Sequence, residues 1–231
     1  MLDVAAVQFF FDPMCPWAYR SSIWIREVRR QTELDISWRF FSLEEVNREE
    51  RKKHPWERRW SFGWSQLRIA ARLRRDSNEL VDRWYETCGA AFFERGEPTF
   101  TPEGAATILE TIGLPGSLVD EAIDDPSRAD EVRAEHEWLV DTYGGHGVPT
   151  LVFEDVPGSG TGDAFFGPVV LTPPTGATAL RLWDLVNGWR EYPDLYELRR
   201  PKTRSDLTAI AGEFATYVQA RRWNTVQRPA V

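Results

Sequence analysis

The sequence has few of the side chains that bind metals or build disulfide frameworks. Its 231 residues include only two cysteines, Cys15 and Cys88, and three histidines. It contains no Cys-x-x-Cys pair and no His-Glu-x-x-His motif. Zinc sites depend on such ligand pairs, and disulfide-stabilised folds need more cysteines. We therefore expect neither a bound metal ion nor a disulfide scaffold.

The sequence also lacks the features of nucleotide-, nucleic-acid- and membrane-binding proteins. The glycine-rich stretch at residues 158–162 is not followed by the Lys-Ser/Thr pair of a phosphate-binding loop. A net charge of −8 is opposite in sign to the charge that nucleic acids attract. No window reaches the ~18 consecutive apolar residues of a membrane span, and the amino terminus shows no signal-peptide pattern. These absences predict a cytoplasmic protein with no tightly bound cofactor and no nucleic-acid or membrane partner.

The residues that are present can form a large core, because 42% of the chain is hydrophobic and 13% is aromatic. Apolar, β-branched and aromatic runs at residues 4–11 and 34–43 predict strands, and the amphipathic stretch at 15–30 between them predicts a helix. Strand, helix and strand in this order predict a right-handed βαβ unit.

Strand character returns only late in the chain, after a block of roughly a hundred residues that reads as helices. Residues 149–153 and 164–166 predict two further strands, and residues 178–189 predict a helix after them. The fold class is therefore α/β, with a βαβ half and a ββα half separated by the helical block. A last amphipathic helix is predicted at 205–223, where Phe214 belongs to the apolar stripe.

The spacing of apolar residues supports the prediction that the intervening block is helical. Offsets of three and four residues place apolar side chains on single helix faces. Three such stripes are Trp60, Trp64, Leu67 and Ala71; Leu80, Trp84, Cys88 and Ala91; and Val132, His136, Leu139 and Tyr143. Thr101 and Asp125 each precede a proline and are predicted to be N-caps.

Cys15 is the most informative residue, because it stands between the first strand and the helix that begins with Pro16. Unpaired amides and the helix dipole favour an anion at a helix N-terminus. This position predicts a thiol pKa below the usual ~8.5 and therefore a nucleophilic thiolate. The alternative is that Cys15 is simply a small buried hydrophobic residue, as many cysteines are.

The sequence Asp-Pro-Met-Cys-Pro-Trp at residues 12–17 resembles the active-site turn of the DsbA-like thioredoxin-fold proteins. Gly-Val-Pro-Thr at 147–150 is similar to their cis-proline loop, and Phe-Phe-Gly-Pro-Val at 165–169 resembles the mycothiol-dependent reductase (nitroreductase) branch. The resemblance implies a discontinuous thioredoxin-like domain at 1–45 and 145–203. It also implies an all-helical insertion at 46–144, and residues 204–231 then form a C-terminal helical extension.

The chain departs from the family motif at Ala18, where the resolving cysteine usually stands. Without that cysteine, Cys15 cannot close an intramolecular disulfide with its motif. Cys88 lies on an apolar helix stripe and is expected to be structural. The resemblance then implies a monothiol oxidoreductase that uses a low-molecular-weight thiol, mycothiol or glutathione, as co-substrate and acts on a small disulfide or electrophile.

The same resemblance implies further site residues around the Cys15 thiol. Pro16, Trp17 and Ala18 complete the motif. The expected thiol- or substrate-binding residues are Val148, Pro149 in the cis form, His136, His146 and Phe166. Each also has a plainer reading: a trans loop proline, a core or solvated histidine, or an aromatic residue that only packs.

Two other functions remain open at this stage. Kappa-class glutathione transferases and chromene-carboxylate isomerases share the fold, and they also lack the second cysteine. An enzyme of that kind would bind a thiol without redox cycling. A catalytically silent scaffold is the third reading, in which the C-terminal helix contacts a partner or forms a homodimer.

Overall fold

The computed structural model describes residues 6–154, 160–216, 218 and 219. The regular elements are, in chain order, β1 (Ala6–Phe11), α1 (Pro16–Gln31), β2 (Asp35–Phe40), α2 (Leu43–Val46), α3 (Phe62–Arg74), α4 (Asn78–Gly89), α5 (Pro102–Thr111), α6 (Leu118–Asp124), α7 (Pro126–Tyr143), β3 (Thr150–Glu154), β4 (Gly162–Phe166), α8 (Gly176–Trp189) and α9 (Arg204–Glu213). A 3-10 turn at Pro55–Glu57 precedes α3, and a π-helical turn at Ala90–Glu94 follows α4.

The four strands form one sheet in the order β2-β1-β3-β4. β1 pairs parallel with β2 and antiparallel with β3, and β3 pairs antiparallel with β4. Phe9, Phe10 and Phe11 of β1 are consecutive and fully buried, so both faces of this central strand are covered. The chain is therefore α/β, with βαβ and ββα halves joined at β1 and β3.

Helices α2 to α7 lie between β2 and β3 in the chain, and Glu135 of α7 links α3 and α7 to β2. One carboxylate oxygen of Glu135 accepts a hydrogen bond from the Phe40 amide at 2.8 Å, at the end of β2. The other oxygen pairs with Arg39 of β2 at 2.9 Å and with Arg74 of α3 at 2.6 Å. Phe40 pairs with Phe11 at the end of β1, so this contact sets α3 and α7 beside the turn that carries Cys15.

Several predicted boundaries were wrong. The spacing of Trp60 and Trp64 predicts one helix, but Ser61 is extended (φ −145°, ψ 156°) and α3 begins at Phe62. The predicted strand at 34–43 ends at Phe40, because Ser42 accepts a hydrogen bond from the Glu45 amide and caps α2. The last predicted helix is interrupted, since α9 ends at Glu213 and Phe214 is a turn, and the described residues 215, 216, 218 and 219 are helical again.

Some predictions fall on residues outside the described part of the chain. These are residues 4 and 5 of the first predicted strand, 158 and 159 of the glycine-rich stretch, and residues 217 and 220–231 of the C-terminal extension. Among the residues that are described, no helix is long and apolar enough to cross a membrane.

Candidate active site at the start of α1

The turn after β1 places Cys15 at the N-cap of α1. The Cys15 amide donates a hydrogen bond to the Asp12 carbonyl oxygen at 2.9 Å, which closes the Asp-Pro-Met-Cys turn. Pro16 follows at the first helical position, where its missing N–H leaves no donor unpaired. The Cys15 backbone is extended, and its Sγ accepts a hydrogen bond from the Ala18 amide at 3.4 Å. The sulfur therefore takes the position that a capping oxygen takes in other helices.

The loop before β3 brings Val148 to the same sulfur. The Cys15 thiol donates to the Val148 carbonyl oxygen at 3.4 Å. The Val148–Pro149 peptide bond is cis, and both residues are buried. Two segments that are far apart in sequence thus meet at Sγ, and each contributes one backbone contact.

The prediction of a lowered thiol pKa was wrong for this arrangement, in which Cys15 is buried against Val148 and which we call closed. Cys15 is 4% exposed, and burial raises the pKa of its thiol to about 12. The amides of Ala18 and Trp17 lower the pKa, and the neighbouring Asp12 carboxylate raises it. Desolvation is larger than the helix N-terminal contribution, because a buried thiolate has lost its contact with water. In this arrangement the thiol is protonated and donates to Val148.

Asp12 is a fully buried carboxylate three residues before the thiol. One oxygen accepts from the Met14 amide at 2.8 Å, and the other accepts from the Leu43 amide at 2.7 Å. A Cβ at Gly63 would lie 2.5 Å from the carboxylate, so α3 passes directly against it. Burial raises the pKa of Asp12 to about 7, and Glu44 adds to this rise. Asp12 therefore ties the active-site turn to the start of α2 and to α3.

The remaining motif residues pack on the first turn of α1. Ala18 is fully buried and supplies an amide but no second sulfur. Trp17 is half-buried, and its ring meets Phe214 edge to face, with centroids 4.8 Å apart at 86°. Phe214 comes from the residues just after α9, so the C-terminal region reaches the active-site motif.

Two of the predicted binding residues lie side by side next to the proline loop. The rings of His146 and Phe166 are 4.8 Å apart, and Phe166 is 51% exposed. The Gly167 amide donates to the Pro149 carbonyl oxygen at 2.8 Å, which joins the end of β4 to the same loop. These contacts bring Phe166 and His146 close to Val148 and Pro149.

His136 is buried in α7 and contacts the end of β2. Its Nδ1 accepts a hydrogen bond from the Ser42 amide at 3.3 Å, and its ring packs on Phe41 with centroids 4.5 Å apart. Burial lowers the pKa of His136, so its neutral form is favoured. Neither contact includes the Cys15 thiol, and a role for His136 in the site stays a prediction.

Cys88 occupies a different environment. It is 1% exposed on α4, and burial raises the pKa of its thiol well above the usual value. In the described residues no hydrogen bond joins its sulfur, and it belongs to the hydrophobic core. These surroundings are those of a structural cysteine.

Sequence reasoning missed three contributors to the site. Tyr85 is fully buried close enough to Cys15 for the two groups to interact electrostatically. The Leu43 amide binds Asp12, and Phe214 covers Trp17. The spacing of three between Tyr85 and Cys88 places Tyr85 on the buried side of α4, and this was the one available signal; the other two contacts have none in the sequence.

Comparison with known proteins agrees with this fold. Residues 14–200 match the Rv2466c-like family model, which is described as mycothiol-dependent nitroreductase Rv2466c. The chain is 45% identical over 225 residues to the uncharacterized protein Rv2286c of Mycobacterium tuberculosis, covering 97% of this chain and 94% of that protein.

Solved structures show the fold at low sequence identity. A putative protein disulfide isomerase from Nitrosomonas europaea aligns with a TM-score of 0.57 at 16% identity, covering 83% of this chain and 100% of that chain. A 2-hydroxychromene-2-carboxylate isomerase aligns with a TM-score of 0.56 at 13% identity, with the same coverage of both chains. The predicted thioredoxin fold with a helical insertion is confirmed, and the chain belongs to the Rv2466c-like family.

Proposed function

We propose that this member of the Rv2466c-like family is a thiol-dependent oxidoreductase in which Cys15 is the sole redox-active residue. The observation that carries the proposal is the position of Sγ, which lies 3.4 Å from both the Ala18 amide and the Val148 carbonyl oxygen. Alanine at position 18 supports a monothiol rather than a dithiol cycle. The description of the family supports mycothiol as the small thiol, with glutathione as the alternative.

The proposed reaction has two exchange steps. The Cys15 thiol loses its proton, and the thiolate attacks one sulfur of a small disulfide. A new sulfur–sulfur bond forms to Cys15, the original one breaks, and the leaving thiolate takes up a proton. A second molecule of the small thiol, as its thiolate, then attacks the mixed disulfide. A new disulfide forms between this thiol and the group bound to Cys15. The sulfur–sulfur bond to Cys15 breaks, and Cys15 leaves as the thiolate with the electron pair of that bond.

The closed arrangement must open before the first step. A buried Cys15 with a pKa of about 12 is protonated at neutral pH. Substrate entry that breaks the contact with Val148 removes the acceptor of the thiol proton and admits polar groups, and both changes lower the pKa. The Ala18 and Trp17 amides then stabilise the thiolate, since they are already aimed at the sulfur.

The same opening frees the Val148 backbone for the incoming thiol. A strand-like backbone pairing with the peptide-like part of mycothiol or glutathione suits this buried loop. Pro149 holds the loop, and we place His146 and Phe166 at its rim because their rings touch beside it. We keep His136 as a candidate polar contact, through the ring nitrogen that does not bind Ser42.

Intact-protein mass spectrometry tests the proposal most directly. The wild type, Cys15→Ser and Cys88→Ser are each exposed to mycothiol disulfide and, separately, to oxidised glutathione near neutral pH. We expect one rapid adduct that is specific to one of the two thiols, lost in Cys15→Ser and retained in Cys88→Ser. Adding the reduced thiol should remove the adduct. No adduct, or equal slow labelling of both cysteines, would contradict the proposal.

One observation favours a second candidate, an enzyme that binds a thiol without redox cycling. The Cys15 thiol is protonated and donates to a carbonyl oxygen, and a serine hydroxyl can do the same. If Cys15 only binds and orients a thiol, Cys15→Ser should keep most of the turnover with a glutathione- or mycothiol-conjugated substrate. A redox nucleophile predicts complete loss in that variant.

A further inference from the structure

The C-terminal region makes one buried contact at the active-site motif. None of the residues of α9 is buried, yet Phe214, which directly follows it, is only 7% exposed. Its ring meets Trp17 edge to face, at a centroid distance of 4.8 Å. A buried aromatic next to an otherwise exposed helix indicates that this contact anchors the region.

Two further contacts flank this one. Glu213 pairs with Arg20 of α1 at 2.5 Å, one helical turn beyond Trp17. On the other side, a Cβ at Gly96 would lie 3.0 Å from the Thr216 Cγ2, so Thr216 packs against the loop after the π-helical turn. Residues 213–216 therefore bridge α1 and the helical insertion. We call these four residues the C-terminal strap.

The strap is far from the Cys15 motif in sequence, but in space it lies beside the motif residue Trp17. Trp17 is two residues after Cys15 on the first turn of α1, and its backbone amide acts on the thiol. A substrate that reaches the sulfur along the Trp17 ring also meets Phe214, because the two rings are in contact. Two aromatic rings in contact form a rigid apolar surface, which restricts the space open to large groups near the sulfur.

We propose that the C-terminal strap forms one wall of the Cys15 site and that Phe214 determines which substrates reach the thiol. This inference rests on the proposed function in treating Cys15 as the reacting residue. The strap lies beyond residue 200, where the family match ends. The wall therefore gives this chain a determinant of substrate size that is separate from the shared motif.

Paired alkylation kinetics test the role of Phe214. N-ethylmaleimide and N-(1-pyrenyl)maleimide carry the same electrophile and differ in bulk, and peptide-resolved mass spectrometry reports the rate at Cys15. We expect Phe214→Ala to raise the ratio of the pyrenyl rate to the ethyl rate by about tenfold, since one pocket contact changes discrimination by this order. Phe214→Leu, which keeps apolar cover, should give a smaller rise. Leu207→Ala is the matched control, because Leu207 is 54% exposed on α9.

An unchanged ratio in Phe214→Ala would overturn the inference. An equal rise for both reagents, with Cys88 labelled as well, would also overturn it, because that pattern reports general loosening of the fold. The control for the proposed function is independent. If the wild type forms no adduct with either small-thiol disulfide but the maleimide ratio still rises in Phe214→Ala, the wall stands and the redox proposal fails.

Discussion

Cys15 and Cys88 are both free, buried thiols, with exposures of 4% and 1%. Burial raises the pKa of both thiols, so neither burial nor pKa separates Cys15, which we propose to be reactive, from Cys88. The difference lies in the polar groups around each sulfur. Cys15 has an amide donor and a carbonyl acceptor at 3.4 Å, whereas desolvation alone acts on Cys88. A buried thiol with backbone partners can become a stabilised thiolate once water or substrate enters; one in an apolar core cannot.

A second cysteine introduced three residues after Cys15 or after Cys88 should give the largest difference between the two thiols. Ala18→Cys places a thiol at the fourth position of the motif, where the amide of residue 18 already contacts the Cys15 sulfur. We expect this variant to form an intramolecular disulfide under mild oxidation, seen as the loss of two hydrogen atoms by mass spectrometry. Intramolecular exchange should then resolve the small-thiol adduct without added thiol.

Ala91→Cys is the matched control for that variant. Ala91 has the same spacing from Cys88 and is also fully buried. Its partner sulfur lies inside a helix rather than at a helix N-terminus, so we expect oxidation to be much slower. Equal rates of oxidation in the two variants would break the distinction between the two cysteines.

The sequence predicted the framework that makes this contrast visible. Apolar runs broken at Asp12-Pro13 and after Phe153 defined the strands, because strand length and turn residues are local properties. Cys15 as an N-cap followed from the same local signals. The family resemblance, and no local pattern, implied that Val148 lies near Cys15; how deeply the sulfur is buried could not be predicted, because burial depends on the packing of that distant loop. The contact of Phe214 with Trp17 was hidden for the same reason.

The next largest expected effect is on the pH dependence of stability. It arises at the Cys15 site, because Asp12 lies beside Cys15 and not beside Cys88. Its pKa is about 7 in the folded protein and near 3.8 when unfolded. Between these values the folded state holds a proton that the unfolded state has lost, so stability decreases as pH rises from about 4 to 7. The maximum slope for one such group is about 1.4 kcal/mol per pH unit.

Asp12→Asn should remove this slope, and urea unfolding at a series of pH values measures it. Asparagine can still accept from one of the two amides, Met14 or Leu43, so we expect a loss of stability at pH 4 that shrinks or reverses by pH 8. Asp35→Asn, at an exposed position at the start of β2, is the control. Profiles of wild type and Asp12→Asn that run parallel would show that Asp12 is ionised throughout this range.

The smallest predicted effect compares the two cysteines by stability alone. Serine at position 88 buries a hydroxyl where no described residue offers a hydrogen bond, whereas serine at 15 can donate to Val148 and accept from Ala18. An unsatisfied buried polar group costs about 1–3 kcal/mol.

Alanine at each position supplies the reference, because the serine and alanine variants have both lost the sulfur. We expect Cys88→Ser to be less stable than Cys88→Ala by this amount, and Cys15→Ser to be as stable as Cys15→Ala or more so. Denaturant unfolding of the four variants measures both differences. If serine and alanine differ equally at the two positions, the polar partners of Cys15 contribute nothing that the core around Cys88 lacks, and the assignment of Cys15 as the reacting thiol loses its structural basis.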